Sequence, residues 1–349
     1  MAIAKSGTDL TRKIQKVGYS TLTVSIPKSF VKELGLKAGG SLLFRQDSDG
    51  TLRLMPITSA KKSSRVIVKA DQAGSEEMLA RLVISSYAVG YDTIEISSRT
   101  PLPKVVVDRV TEIIRRLRGL EVVESDSRRI VAQSFLDPTK FPVDSLIKRL
   151  QMLVSSSLEN VVEALDLKRT SGLNDVKRIQ DEIDELYWLI VRQLLVALNR
   201  RELAAEIGIE SPLHASGDRV IAKTLDEIGG IILDIAEELV RLKSKGTTME
   251  PEVVEKIRVL AAKAGEAFNL TVESILTPEI RLLERSATRV EETLRMEKEI
   301  THEMLESGGH GYARVIVSHF AQLARYCNIV IEIASHRLLR KSSRLATVQ

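Results

Sequence analysis

The sequence predicts a multidomain protein with three parts. These are a small all-β head, a small α/β middle domain of order βαβαββ, and an all-α C-terminal body of two three-helix bundles. Three observations carry this. Within residues 11–56 apolar and polar residues alternate with a period of two, as on half-buried strands. Between 65 and 135, short β-branched runs alternate with runs of helical period. From 136 onward apolar residues recur at steps of three and four, the seam of helices packed nearly antiparallel.

Composition narrows the functional classes. Of the 349 residues 44% are hydrophobic, 28% charged and only 4% aromatic, so the core must be built from Leu, Ile, Val and Ala. The single cysteine, Cys327, excludes an internal disulfide framework and a Cys-based zinc site. No apolar run reaches the ~18–20 residues of a membrane span, and the opening stretch is polar, so a cytoplasmic location is expected. Net charge is +4, unevenly distributed: residues 1–65 hold 12 Lys/Arg against 4 Asp/Glu, and the remainder 39 against 43. A basic block on a mildly acidic remainder points to a polyanionic partner for the N-terminus.

The head begins with an expected strand over 12–17, a turn at Gly18-Tyr19-Ser20, and a strand over 21–26 with Leu22, Val24 and Ile26 on one face. Pro27 ends that strand and suits a helix start. Residues 28–34 then form a short helix with Phe30, Val31 and Leu34 inward, stopped by Gly35. Strands over 41–45 and 51–55 form a hairpin about Asp49-Gly50. The strings Arg12-Lys13-Ile14-Gln15-Lys16-Val17-Gly18, Val24-Ser25-Ile26-Pro27-Lys28 and Leu34-Gly35-Leu36-Lys37-Ala38-Gly39 resemble the AbrB/MazE/SpoVT swapped-hairpin DNA-binding family. The resemblance implies that two protomers interlock their hairpins into one small barrel and that basic residues of the first strand and following loop touch DNA. A unit of about 45 residues is also near the size at which oligomerisation is needed to bury enough apolar surface. The DNA-binding candidates are Arg12, Lys13, Gln15, Lys16 and Lys28. The four cations suit phosphates, and Gln15, with a donor and an acceptor, suits a base edge.

Residues 57–64 read as a linker. In the middle domain, strands are expected over 65–70 and 93–97, helices over 75–89 and 104–117, and a closing hairpin over 121–124 and 129–132. Gly90 and Gly119 end the two helices. Arg115, Arg116 and Arg118 read as a solvated helix face; a connector or ligand-sensing role is open for this domain.

Stops at Pro138 and Pro142, Ser171-Gly172, 208–217, Lys245-Gly246, Thr277-Pro278 and 308–311 divide the body into helices over 143–168, 173–206, 218–244, 251–276, 279–306 and 311–341. Cys327 falls in an apolar seam and reads as a core residue. The Gly308-to-Gly311 stretch lacks a Lys-Ser/Thr ending and reads as a helix–helix turn, not a phosphate loop. The run from Ile228 to Ala236 echoes that from Tyr326 to Ala334, so the six helices divide into three plus three. Together with Asp181-Glu182-Ile183-Asp184-Glu185-Leu186, this is similar to the PhoU family of tandem three-helix bundles. That resemblance implies acidic pairs four residues apart on the third helix of each bundle, forming metal clusters. Here Gly230 stands at the second acid of the first copy, and Ala324 and Asn328 replace both acids of the second. No metal or other cofactor is therefore expected, and Asp181, Asp184 and Asp226 read as solvated acids.

Taken together, the domain division is 1–56 for DNA binding and dimerisation, 65–135 for the α/β unit and 136–349 for the helical body. An AbrB-type head on a PhoU-like body resembles archaeal phosphate uptake regulators. The resemblance implies a non-enzymatic, DNA-binding transcription regulator that acts as a homodimer and has a phosphate transport system as a partner. One alternative is an adaptor that regulates such a transporter by protein contact, its head serving only to dimerise; a third reading is a toxin-neutralising antitoxin, since that family also uses this head, though the body is far larger than the short tail such a role needs.

Overall fold

The computed structural model describes residues 11–46, 50–57, 64–308 and 311–340. Asp49 of the expected hairpin turn, most of the expected linker, and Gly309 and His310 of the expected helix–helix turn lie outside these. The chain divides into two compact units, 1–62 and 63–349.

In the first unit β1 (Gln15–Val17) pairs antiparallel with β2 (Thr21–Thr23) across the turn at 18–20. Both strands are shorter than the alternation predicts. Residues 12–14 and 24–26 are left without a ladder partner in the single chain, and a period-two pattern reports only which face is apolar, not whether a neighbour exists. Helix α1 (Lys28–Leu34) starts after Pro27 and ends at Gly35, whose φ of 63° is the left-handed cap. Strands β3 (Leu42–Gln46) and β4 (Leu52–Pro56) form the second hairpin. Phe30 and Val31 are half-buried, but Leu34, expected inward, is exposed. Not one described residue of 11–57 is buried.

The second unit opens with β5 (Arg65–Lys69), α2 (Glu76–Val89), β6 (Thr93–Ser97), α3 (Lys104–Arg116), β7 (Leu120–Ser125) and β8 (Arg129–Ser134), the expected βαβαββ order. The sheet order is β5-β6-β8-β7, with β5 parallel to β6 and the other pairs antiparallel. Ile94, Ile96, Ile130 and Ala132 point from one face of the sheet against Val83, Tyr87, Val110 and Ile114 of the two helices.

The body comprises α4 (Val143–Ala164), α5 (Leu173–Asn199), α6 (Arg201–Glu206), α7 (Pro212–Ser244), α8 (Pro251–Leu276), α9 (Ile280–Ser307) and α10 (Gly311–Arg340). Three boundaries differ from the sequence reading. The first helix ends at Ala164, four residues before its expected end. The second helix breaks at Arg200, whose φ of −132° leaves the helical region. The third starts six residues early, because Ser211 caps it by accepting from the His214 backbone N–H at 3.1 Å and Pro212 occupies its first turn. Helices α4, α5 and α7 pack together, α8, α9 and α10 pack together, and one apolar core runs through both groups. The seams read from sequence are buried throughout, including Cys327, whose thiol burial pushes up to about 12. Among the described residues no helix is long and apolar enough to cross a membrane.

The α/β layer is seated on the first bundle. Trp188 of α5 packs against the cores of both. Gly90 ends α2 at φ 98°, and a Cβ there would meet Val196 Cγ2 at 2.4 Å, so both the conformation and the approach to α5 require glycine.

Candidate nucleic-acid interface

The five candidate residues lie within one short stretch of the head and all are exposed. Arg12 and Lys13 precede β1, so the alternation that would send them to opposite faces does not constrain them. Gln15 and Lys16 are on β1. Gln15 sits opposite Thr23, whose hydroxyl donates to the Gln15 carbonyl at 3.3 Å; Lys16 sits opposite Leu22. Directly opposed residues share a face, so Gln15 points with the threonine side of the hairpin and Lys16 with its apolar side. Lys28 is the first residue of α1, behind Pro27. Among the described residues Arg12, Lys13, Lys16 and Lys28 make no ion pair; their charges face solvent. Tyr19, which the sequence did not mark, stands fully exposed at the tip of the turn.

The apolar residues of the same unit are as open as the cations. Ile14 is 69% exposed, Leu22 66% and Phe44 60%. A folded unit that leaves such residues in water in the single chain gains little from its own packing.

In the body, the acids and arginines that read as solvated faces are joined. Arg116 reaches Asp181 at 3.2 Å, and Arg118 reaches Glu185 at 3.3 Å and Glu182 at 3.7 Å. No one-dimensional signal marks this, because about 65 residues separate the partners and only the seating of α2 on α5, with α3 packed beside α2, brings them together. Arg115 stays exposed, as expected. Asp226 and Glu227 share the Lys223 ammonium at 2.8 and 2.7 Å. Asp184 is half-buried and accepts from Gln180 Nε2 at 2.8 Å. Burial first, and the neighbouring Asp226 carboxylate second, push its pKa up to about 6. Among the described residues no three His, Cys, Asp or Glu side chains come together as a metal site.

Comparison with known proteins yields two partial matches. Residues 15–62 match the family model for antidote-toxin recognition MazE, bacterial antitoxin. Residues 147–239 match the PhoU domain, a span that runs from α4 to α7 and so covers the first three-helix bundle. No curated protein matches the chain.

Proposed function

We propose that this protein is a non-enzymatic, DNA-binding transcription regulator of phosphate uptake that works as a homodimer. Residues 1–56 form the DNA-binding and dimerisation domain, and residues 136–349 form the sensing or partner-contacting body. Residues 65–135 couple the two. The observation that carries the reading is the composition of the head's surface. Among the described residues, four cations without an ion pair and Gln15 sit beside apolar residues that no described part of the same unit covers. A second copy that pairs with the unladdered stretches 12–14 and 24–26 would bury the apolar residues and double the cations presented to a duplex. The MazE match supports the head's role, and the PhoU match supports phosphate homeostasis as the regulated process and a transport component as partner.

A salt titration of the full chain on its own promoter DNA and on scrambled DNA tests this. Neutralising roughly 6–8 phosphates gives log K a slope of about −5 to −7 against log salt. If no salt-dependent DNA binding occurs at low ionic strength, the adaptor reading takes its place. Sedimentation of the full chain and of a chain without residues 1–62 tests the dimer, which should be lost with the head.

A further inference from the structure

A cavity of about 520 Å³ opens between α2, α3 and α5, where the α/β layer meets the first bundle. Its volume is in the range that takes a small organic ligand. Ala80, Ile84, Ile113, Leu117 and the Trp188 ring give it an apolar lining. Its charged lining holds four carboxylates, from Glu77, Asp181, Asp184 and Glu185, against three guanidinium groups, from Arg81, Arg109 and Arg116. The balance is one negative charge.

Most of these charges are already satisfied. Arg116 bridges Asp181 and Glu112, each at 3.2 Å; Arg109 meets Glu112 at 3.1 Å; Glu185 accepts from Arg118 at 3.3 Å. Asp184 differs. Its one hydrogen-bond donor among the described residues is the neutral Gln180 amide, and its nearest charged neighbour on α7 is another carboxylate, Asp226. Glu77 and Arg81 of α2 likewise make no ion pair among the described residues, but both stand on the open rim, whereas the half-buried Asp184 has as its only charged hydrogen-bonding neighbour another acid, Asp226. The cavity therefore joins an apolar, aromatic wall to a half-buried carboxylate that no cation pairs among the described residues.

We propose that this cavity binds a small organic amine, its ammonium group on Asp184 and its apolar body against Trp188, Ile84 and Ile113. The proposal deepens the sensing role given above to the body and rests on it for its meaning, though amine binding is measured without DNA. A calcium or magnesium ion takes six or more oxygen ligands and a zinc ion three or four side-chain ligands, and among the described residues no three His, Cys, Asp or Glu side chains converge here. The committed acids and the apolar wall supply no such set, whereas an ammonium needs only a few acceptors for its three N–H groups. An organic anion would meet the negative balance.

The carboxylate must be ionised to hold the ammonium. Asp184 is faced by Asp181 and Glu185 on its own helix, by Asp226 with its Lys223 partner on α7, and by Arg81, Arg109 and Arg116 from α2 and α3; Arg149 of α4 is taken by Glu182. With its pKa raised to about 6, Asp184 is charged at pH 8 and largely protonated at pH 5.

Trp188 is the only tryptophan in the chain, so fluorescence of the full-length protein excited at the red edge, where the six tyrosines do not absorb, reports the cavity alone. Phenethylamine should change it saturably at pH 8 and bind about tenfold more weakly at pH 5. N-acetylphenethylamine and 3-phenylpropionate, of similar size but uncharged and anionic, should not compete. Asp184→Asn should abolish binding, and it removes a charge that burial disfavours, so folding is retained. Asp226→Asn should move the midpoint of the pH dependence below 6. Absence of saturation by phenethylamine overturns the proposal, as does equal binding of either analogue or a pH-independent affinity. Amine binding without salt-dependent DNA binding would sink the regulator reading and leave this one standing; the converse would do the opposite.

Discussion

Arg192 of α5 lies 4.8 Å over the ring of Tyr87 on α2 and donates through Nη1 to the Tyr87 carbonyl, and at 3.1 Å to that of Tyr91. One guanidinium thus satisfies two carbonyls at the C-terminal end of α2 and locks the α/β layer to the first bundle. Arg192 is 5% exposed, so its replacement leaves the Tyr91 carbonyl without this donor in a dry seam and takes a countercharge from Asp92, 3.9 Å away, while the Tyr87 carbonyl keeps the Gly90 N–H at 3.0 Å. Arg192→Met should cost about 2–4 kcal/mol in denaturant unfolding, mostly from the orphaned Tyr91 carbonyl and the lost pairing with Asp92. An unchanged midpoint would mean that the apolar contacts around Trp188 hold the seam by themselves.

Asp184 gives stability an unusual pH dependence. Its folded pKa of about 6 lies above its ordinary value of 3.8, so between those limits the native state binds more protons than the unfolded one. Stability from this group is therefore greatest below about pH 4, falls as pH rises through 6, and is flat above. After allowance for solvent screening of a partly exposed group, Asp184→Asn should raise stability by about 1 kcal/mol at pH 8, and the gain should vanish near pH 4. Paired urea titrations at the two pH values measure it.

Gly229 and Gly230 are adjacent in α7 and should respond oppositely to alanine. A Cβ at Gly229 would meet Gln180 Oε1 at 2.4 Å and Ile183 Cδ1 at 3.0 Å, whereas one at Gly230 meets nothing within 4 Å. Gly230→Ala should add about 0.5–1 kcal/mol through helix propensity, and Gly229→Ala should lose about 1–3 kcal/mol through overpacking. Thermal melts of both variants decide; a stable Gly229→Ala would show that the Gln180 amide and the Ile183 terminus swing aside at little cost.

Arg337 of α10 pairs with Asp218 of α7 and also donates to the Ile275 carbonyl at 3.0 Å. Asp218 is fully buried, and burial raises its pKa against the pull of Arg337 and His214. Arg337→Met should cost about 3–5 kcal/mol because the carboxylate loses its countercharge. The double variant with Asp218→Asn should recover part of that loss. If the double variant is no better than the single, the lost bond to Ile275 and not the stranded charge is the cause.

At the head, Lys13→Ala should weaken binding to every DNA sequence and flatten the salt slope by about two units in a symmetric dimer. Gln15→Ala should instead relax the preference between promoter and scrambled DNA with little change of slope. Titration of both variants on both DNAs separates the roles. A sequence-selective effect of Lys13→Ala would exchange them.

What the sequence by itself determined is the order and kind of the elements. The helical seams from Val176 to Ile190, Leu225 to Leu242 and Ile316 to Ala334 are buried as their spacing requires, because a helix facing one core repeats its apolar residues every three or four positions. The βαβαββ order and the caps at Gly35 and Gly90 were legible for similarly local reasons, since turn and cap chemistry is written in neighbouring residues. The basic stretch from Arg12 to Lys28 was legible as charge, but its strand was read too long, because a ladder needs a partner that periodicity does not supply. Tertiary structure decided the rest. Arg116 and Arg118, solvated by their local pattern, meet Asp181 and Glu185 only when α2, with α3 beside it, is laid against α5. Asp184 is perturbed, and the cavity beside Trp188 exists, because three helices distant in sequence converge there; charge interaction and burial depend on separation in space, which no local pattern encodes.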